Sequence, residues 1–327
     1  MTRLIAIGLA LALSGSNYNE ALHSAQQASG ARQMAGAVMV DGELVWTGAA
    51  GHGAKASDVY SLASLSKTYV ATMIVRLAAR GKFSLDDHIS RWLDGRIPAA
   101  TGRVAVRELL NHTSGIPDYL DDASINDELY DPHHHWTEAE LLKAVRAPRH
   151  RGKFKYSNTN YILLGAILRR VTGLDADQAM AHEIRGPLGL RSTSMRRIPR
   201  LASRVAGHHR LGDDIWNPLW TDGAVVASAA DVARFLDALL VSRRLLDDTW
   251  LQRMLAGADP DERGYGLGIY GAKLRGSIVY GHDGSYGGWT SYGVSNPRTG
   301  MTYVVLAHGG GGGGVFDGVT ALAYATG

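Results

Sequence analysis

The chain has 327 residues, 45% of them apolar, with 34 Lys and Arg against 31 Asp and Glu (net +3), 40 Gly and no Cys. This composition excludes a disordered or collagen-like chain, and the missing cysteines exclude disulfides, iron–sulfur clusters, thiolate zinc sites and a Cys nucleophile. The charge is nearly balanced and its basic residues are scattered rather than striped, so there is no footprint for nucleic acid.

In chain order, Arg3 precedes an apolar run over residues 4–13, followed by Ser14-Gly15-Ser16. That run is too short for a membrane-spanning helix, which needs roughly 20 residues, so no integral membrane span is expected. A basic start, a short apolar core and small residues fit a secretory signal over residues 1–16, implying a periplasmic or secreted protein. The other reading is a buried N-terminal helix in a cytoplasmic protein. Residues 17–31 read as helix, and short strands at 37–40 and 44–46 flank Asp41-Gly42, a two-residue hairpin turn. Between residues 86 and 215 the pattern is helical. Thr137 and Glu140 form a capping box, residues 160–171 carry an apolar helical stripe closing at Gly173, and Ser228 with Asp231 opens a helix over 232–240. Strands follow at 277–281, 290–294 and 302–307, with a turn at 296–300; a Gly run at 309–314 precedes a last helix at 315–325. The expected fold is α/β (α+β): a five-stranded antiparallel sheet built from residues 17–85 and 216–327, flanked by the terminal helices. A mostly helical domain is inserted over residues 86–215, and the active site is expected between the two parts.

Without cysteine, a nucleophile must come from Ser, Thr, Lys, Asp, Glu, a metal-bound water or a cofactor. The segment Ser64-Leu65-Ser66-Lys67 is the single S-x-x-K of the chain, and an apolar helical pattern at Tyr69, Val70, Met73, Ile74 and Leu77 follows it. Ser64 is thus expected at a helix N-terminus with Lys67 one turn on, on the same face. A serine hydroxyl needs a neighbouring base to become nucleophilic, and a desolvated amine can serve. First-turn amides can stabilise an oxyanion. The same tetrad also describes an ordinary helix cap beside a surface lysine. Tyr156-Ser157-Asn158 is the single Y-x-N, on a loop entering the 160–171 helix. His282-Asp283-Gly284-Ser285 ends a strand, where Gly284 would let a ligand approach the backbone.

In this order, SLSK, YSN and HDG resemble the S-x-x-K, Y-x-N and K/H-x-G motifs of the serine β-lactamase and penicillin-binding protein family. The likeness is to its branch of class C β-lactamases, DD-carboxypeptidases and family VIII esterases. Residues 108–117 (ELLNHTSGIP) and 222–228 (DGAVVAS) are similar as well, and the likeness runs from about residue 37 to the C-terminus. The resemblance implies Ser64 as the acylated nucleophile, with Lys67 and Tyr156 sharing the proton. It implies Asn158 as a partner of the substrate's acyl side chain and of Lys67, and His282 in place of the β-lactamase Lys. Backbone N–H groups of Ser64 and Ser285 would form an oxyanion hole, with Asp283 and Gly284 alongside in the substrate-binding strand. No cofactor and no metal are implied; the partner is a small-molecule or peptide substrate, and the oligomeric state is open.

Two departures bear on the substrate. Asp283 stands where the family carries a small residue, and it would repel a substrate carboxylate. No Arg occurs in residues 265–271, although Lys273 and Arg275 follow. Both favour ester or amide hydrolysis over D-Ala-D-Ala carboxypeptidase or β-lactamase activity; acyl transfer and a non-catalytic binding relative are the alternatives. No G-x-S-x-G occurs, which excludes an α/β-hydrolase elbow. His133-His134-His135 reads as a surface loop and His112 as a structural residue. Trp216, Trp220, Tyr286 and Trp289 are candidates for either an acyl pocket or the core.

Overall fold

Asp41 and Gly42 both take positive φ, 48° and 86°, the mirror-image turn whose twist suits a hairpin. Here β1 (Gln33–Val40) folds back on β2 (Glu43–Gly51). The computed structural model describes residues 2–122, 137–195, 221–261 and 264–326 of the chain. Two short strands, β3 (Tyr60–Ser61) and β4 (Val226–Ala227), pair with each other. Four more, β5 (Tyr270–Leu274), β6 (Ser277–Tyr286), β7 (Trp289–Asn296) and β8 (Met301–His308), join the hairpin in an antiparallel sheet of order β2-β1-β8-β7-β6-β5.

The sheet has six strands rather than the five expected. The addition, β5, lies at the edge and is mostly half-buried, with Gly271 and Lys273 within it. Its sequence therefore lacks the apolar alternation that marks a strand with one buried face. The other strands are longer than their sequence patterns suggest. Strand β1 is buried along almost its whole length because both faces are covered, which removes the polar half of the alternation.

Five longer helices flank the sheet: α1 (Thr2–Ser29), α2 (Ser66–Ala79), α3 (Asn158–Thr172), α4 (Ala229–Leu240) and α5 (Gly314–Ala325). On the back face, α1 and α5 pack together; Tyr18, Leu22 and Ala25 join Met34, Val38, Val305, Val319 and Leu322 in one cluster. Helix α1 continues unbroken through residue 16, where the sequence suggested a boundary. On the front face, Ala35, Ala37, Met39, Val304 and Leu306 meet α4, and beyond α4 the same cluster extends into α2 and α3. Helix α2 is buried on nearly every side, so it is a core helix rather than an amphipathic surface one. Among the described residues from 86 to 195 the structure is helices and loops, with isolated bridges at His88–Ala105 and Ser194–Val226. The capping box at Thr137 and Glu140 forms as its spacing predicts, and α3 closes on Gly173 at φ 73°.

Candidate active site

The turn before α2 is held in an unusual backbone shape. Ala63 takes φ 45° despite its Cβ, and the turn Ala63–Leu65 runs directly into the helix. Three hydrogen bonds pin it: Leu62 N to Val225 O at 2.9 Å, Val225 N to Ser66 Oγ at 3.0 Å, and Ser291 Oγ to Leu62 O at 2.7 Å. Ser64 is left half-buried at the head of α2, within reach of solvent.

Lys67, three residues on, has no exposed surface. Its amine donates to Ser64 Oγ at 3.0 Å, to Asn158 Oδ1 at 2.8 Å and to the Asp222 carbonyl at 2.6 Å. These three acceptors match the three protons of an ammonium. Burial pushes the Lys67 pKa down to about 8, opposed by the carboxylates of Asp222, Asp118 and Asp283. Asn158 is held in one orientation: its backbone N–H and its Nδ2 both donate to Asp118 Oδ2, at 3.0 and 2.8 Å, leaving Oδ1 for the lysine.

Tyr156 packs its ring 5.1 Å from the Lys67 amine and stacks on His112 with ring centroids 4.2 Å apart. Burial raises its hydroxyl pKa well above the usual value, and the neighbouring Ser64 hydroxyl pulls it partly back. No partner at full hydrogen-bond geometry reaches that hydroxyl among the described residues. His112 is wholly buried and accepts from the Ser157 backbone through Nδ1, 3.1 Å away; Asn160 Nδ2 lies 3.1 Å from the same nitrogen. Burial and the nearby Lys67 push its pKa well down, so it is a neutral wedge that fixes the Tyr156 ring.

The sheet supplies the opposite wall. Strand β5 pairs with β6 only as far as Gly281, so the outer edge of residues 282–286 carries no strand. Gly284 on that edge lies hard against the serine turn: a Cβ there would stand 2.2 Å from Leu62 O and 2.7 Å from Ser64 N. Glycine is therefore required, and the exposed Ser285 follows it directly. His282 is buried, with Nε2 3.0 Å from Tyr265 Oη and Nδ1 against the Asp283 carbonyl. The carbonyl partner assigns the proton to Nδ1 and leaves Nε2 to accept from the tyrosine. Burial lowers the His282 pKa to about 3, so this histidine does not reproduce the positive charge of the lysine it replaces. Asp283 beside it is half-buried, and burial raises its pKa.

The structure thus gathers Ser64, Lys67, Tyr156, Asn158 and the segment from His282 to Ser285 into one site. Lys273 is drawn away into an ion pair with Asp261. Arg275 donates to Ala323 O at 2.7 Å and lies over Tyr324. Trp289 is core, edge-on to Tyr60 at 5.9 Å. Tyr286 packs beside Tyr119, Leu141 and Ile162. Trp216, Trp220 and the histidines 133–135 lie outside the described residues. Sequence reasoning missed Asp118, Tyr119, Asp222 and Tyr265. The first two directly follow the HTSGIP stretch and Asp222 heads the DGAVVAS stretch, yet neither spacing nor periodicity marks a loop carboxylate as facing a lysine far away in sequence.

A model of the Beta-lactamase family matches residues 19–325. The chain is 29% identical over 323 residues to penicillin-binding protein 4 of Amycolatopsis lactamdurans, covering 84% of this chain and 80% of that protein. It is 27% identical over 269 residues to penicillin-binding protein 4* of Bacillus subtilis (strain 168), covering 73% of this chain but 57% of that longer protein. Among solved structures, a D-stereospecific amidohydrolase from Streptomyces sp. superposes with a TM-score of 0.76 at 28% identity, covering 93% of this chain and 98% of its own. With the fold, the three motifs and the family match in agreement, the chain belongs to the beta-lactamase family and is a serine hydrolase of that family.

Proposed function

We propose that Ser64 attacks an ester or amide carbonyl and is transiently acylated. The observation carrying this reading is the 3.0 Å hydrogen bond from the fully buried Lys67 amine to Ser64 Oγ. In the proposed cycle Oγ bonds to the carbonyl carbon while its proton passes into the Lys67–Tyr156 pair, whose titrations are coupled. A Lys67 pKa of about 8 leaves roughly a tenth of the amines neutral and able to accept that proton at pH 7. Tyr156, held as a phenol by burial, hands a proton to the departing amine or alkoxide as the C–N or C–O bond breaks. Water then attacks the acyl-enzyme and restores Ser64. The Ser64 and Ser285 N–H groups receive the oxyanion at both stages, each worth about 10²–10³ in rate.

The charges around the site favour substrates without a carboxylate next to the scissile bond. His282 is neutral, Asp283 is acidic, Lys67 is sealed from solvent, and Lys273 and Arg275 are engaged elsewhere. This supports an esterase or amidase in preference to a D-Ala-D-Ala carboxypeptidase or β-lactamase. The similarity to a D-stereospecific amidohydrolase supports the amide branch. The test is a parallel assay on p-nitrophenyl butyrate, D-phenylalaninamide, a D-Ala-D-Ala peptide and nitrocefin, with intact-mass detection of a fluorophosphonate adduct. Hydrolysis of the first two and an adduct abolished by Ser64→Ala is the expected result. Turnover of nitrocefin alone, or an adduct retained in the variant, overturns it.

We also propose export to the periplasm or beyond, supported by Arg3 and the apolar run that follows it. Removal of residues 1–16 would leave Tyr18, Leu22 and Ala25 in place on the back of the sheet. The mature N-terminus of the protein recovered outside the cytoplasm tests this.

A further inference from the structure

Beneath Lys67 lies a carboxylate for which the reaction as written has no use. Asp222 is buried, with 2% of its surface exposed. Its Oδ2 accepts from Tyr119 Oη at 3.0 Å, and its Oδ1 has no partner among the described residues. The same residue's carbonyl is the closest acceptor of the Lys67 amine, at 2.6 Å. Tyr119 is in turn fastened to the first turn of α3, which carries Asn158. Its backbone N–H donates to Thr159 Oγ1 at 2.8 Å, and its neighbour Asp118 accepts from Asn158. A single chain of contacts therefore runs from α3 through Asp118 and Tyr119 to Asp222 and back to the lysine.

A carboxylate this deeply buried, with one hydrogen bond, is poorly stabilised unless a positive charge lies close by. The charged and titratable groups facing it are Lys67 from α2, and Tyr119 and Asp118 from the segment that follows HTSGIP. Lys67 faces in addition the rings of Tyr156 and Tyr161, the histidines His112 and, from β6, His282, and Asp283. Only Lys67 among these is a cation.

We propose that Asp222 is a positioning residue: its carbonyl holds the Lys67 amine under Ser64, and its buried carboxylate, oriented by Tyr119, lies on the same residue as a fixed negative partner for that amine. The proposal rests on the reading of Ser64 as nucleophile and Lys67 as its proton partner. Burial raises the Asp222 pKa and lowers that of Lys67, and the attraction between the two opposes both shifts. The sign follows directly. The carboxylate raises the lysine pKa, so its removal makes the amine lose its proton at lower pH.

The experiment is kcat/KM for p-nitrophenyl butyrate from pH 5 to 10 for wild type, Asp222→Asn and Tyr119→Phe, with fluorophosphonate labelling of each protein. In wild type the rate rises with pH through the Lys67 ionisation. Asp222→Asn is expected to move that limb to lower pH by about half a unit or more, a roughly twofold or greater change in the ratio of rates at pH 6 and pH 8. Tyr119→Phe removes a hydrogen bond that favours the carboxylate and moves the limb the same way by less. It loses one hydroxyl only, so it keeps the test open if Asp222→Asn does not fold. Rates that fall equally at every pH in proteins still labelled at Ser64 overturn the proposal, because a purely structural role leaves the limb in place. Failure of wild type to be labelled at Ser64 overturns the nucleophile reading and this proposal with it.

Discussion

The two faces of the central sheet are built to different standards. The back face joins Tyr18, Leu22, Met34, Val38, Val305, Val319 and Leu322 in an ordinary apolar layer. The front face buries Lys67, Thr68, His112, Asn160, Asp222 and His282 within or beside an equally tight core. Polar groups in such surroundings are destabilising unless hydrogen-bonded, and charges more so. The front layer meets that cost with the three bonds of Lys67, the two from Asn158 to Asp118, and the Tyr119–Asp222 pair. The comparison teaches that the larger apolar cluster lies on the front, so that layer carries core packing and the buried polar groups together. The region around Ser64 is held for its chemistry.

Substitutions on the two faces should therefore separate rate from stability. Tyr156→Phe on the front is expected to lower kcat by about 10²–10⁴, as loss of a general acid–base group does, with little change in thermal midpoint; an unchanged rate removes Tyr156 from the mechanism. Gly284→Ala should cost about 10² in kcat/KM, since its Cβ must push β6 away from the Ser64 N–H. Equal activity in that variant would show that the strand edge is not part of the oxyanion site. On the back, Leu22→Ala is expected to destabilise by about 2–5 kcal/mol in urea or thermal unfolding, with kcat/KM per folded molecule unchanged. A rate loss there as large as at Tyr156 would break the distinction between the faces. The smallest effect belongs to Asp283→Asn, which should raise the relative rate on a carboxylate-bearing substrate by about 3–10-fold over a neutral ester, measured as a ratio of kcat/KM values.

The pH dependence sharpens the same contrast. The Lys67 pKa is lowered by burial to about 8, so the basic form and the rate both increase as pH rises through that value. His282, with a pKa near 3, and His112, lower than usual, stay neutral across this range and add no further step.

Much of this was legible in the amino-acid order because its causes are local. The Asp41-Gly42 hairpin follows from positive φ at two adjacent positions, the capping box from hydrogen bonds across three residues, and the Ser64–Lys67 proximity from one helical turn. The three motifs add an ordered pattern that identifies the family. What only the tertiary structure decided is long-range. Strand β5 exists because β6 offers it an edge, not because its own residues alternate. His282 is neutral because Tyr265 and the surrounding core exclude water from it, and nothing in the HDG triplet states its charge. The Asp222 carbonyl accepts from the Lys67 amine across 155 residues of chain, which brings the buried carboxylate of the same residue near it. Desolvation and Coulomb interaction depend on distance through space, and a sequence specifies distance only along the chain.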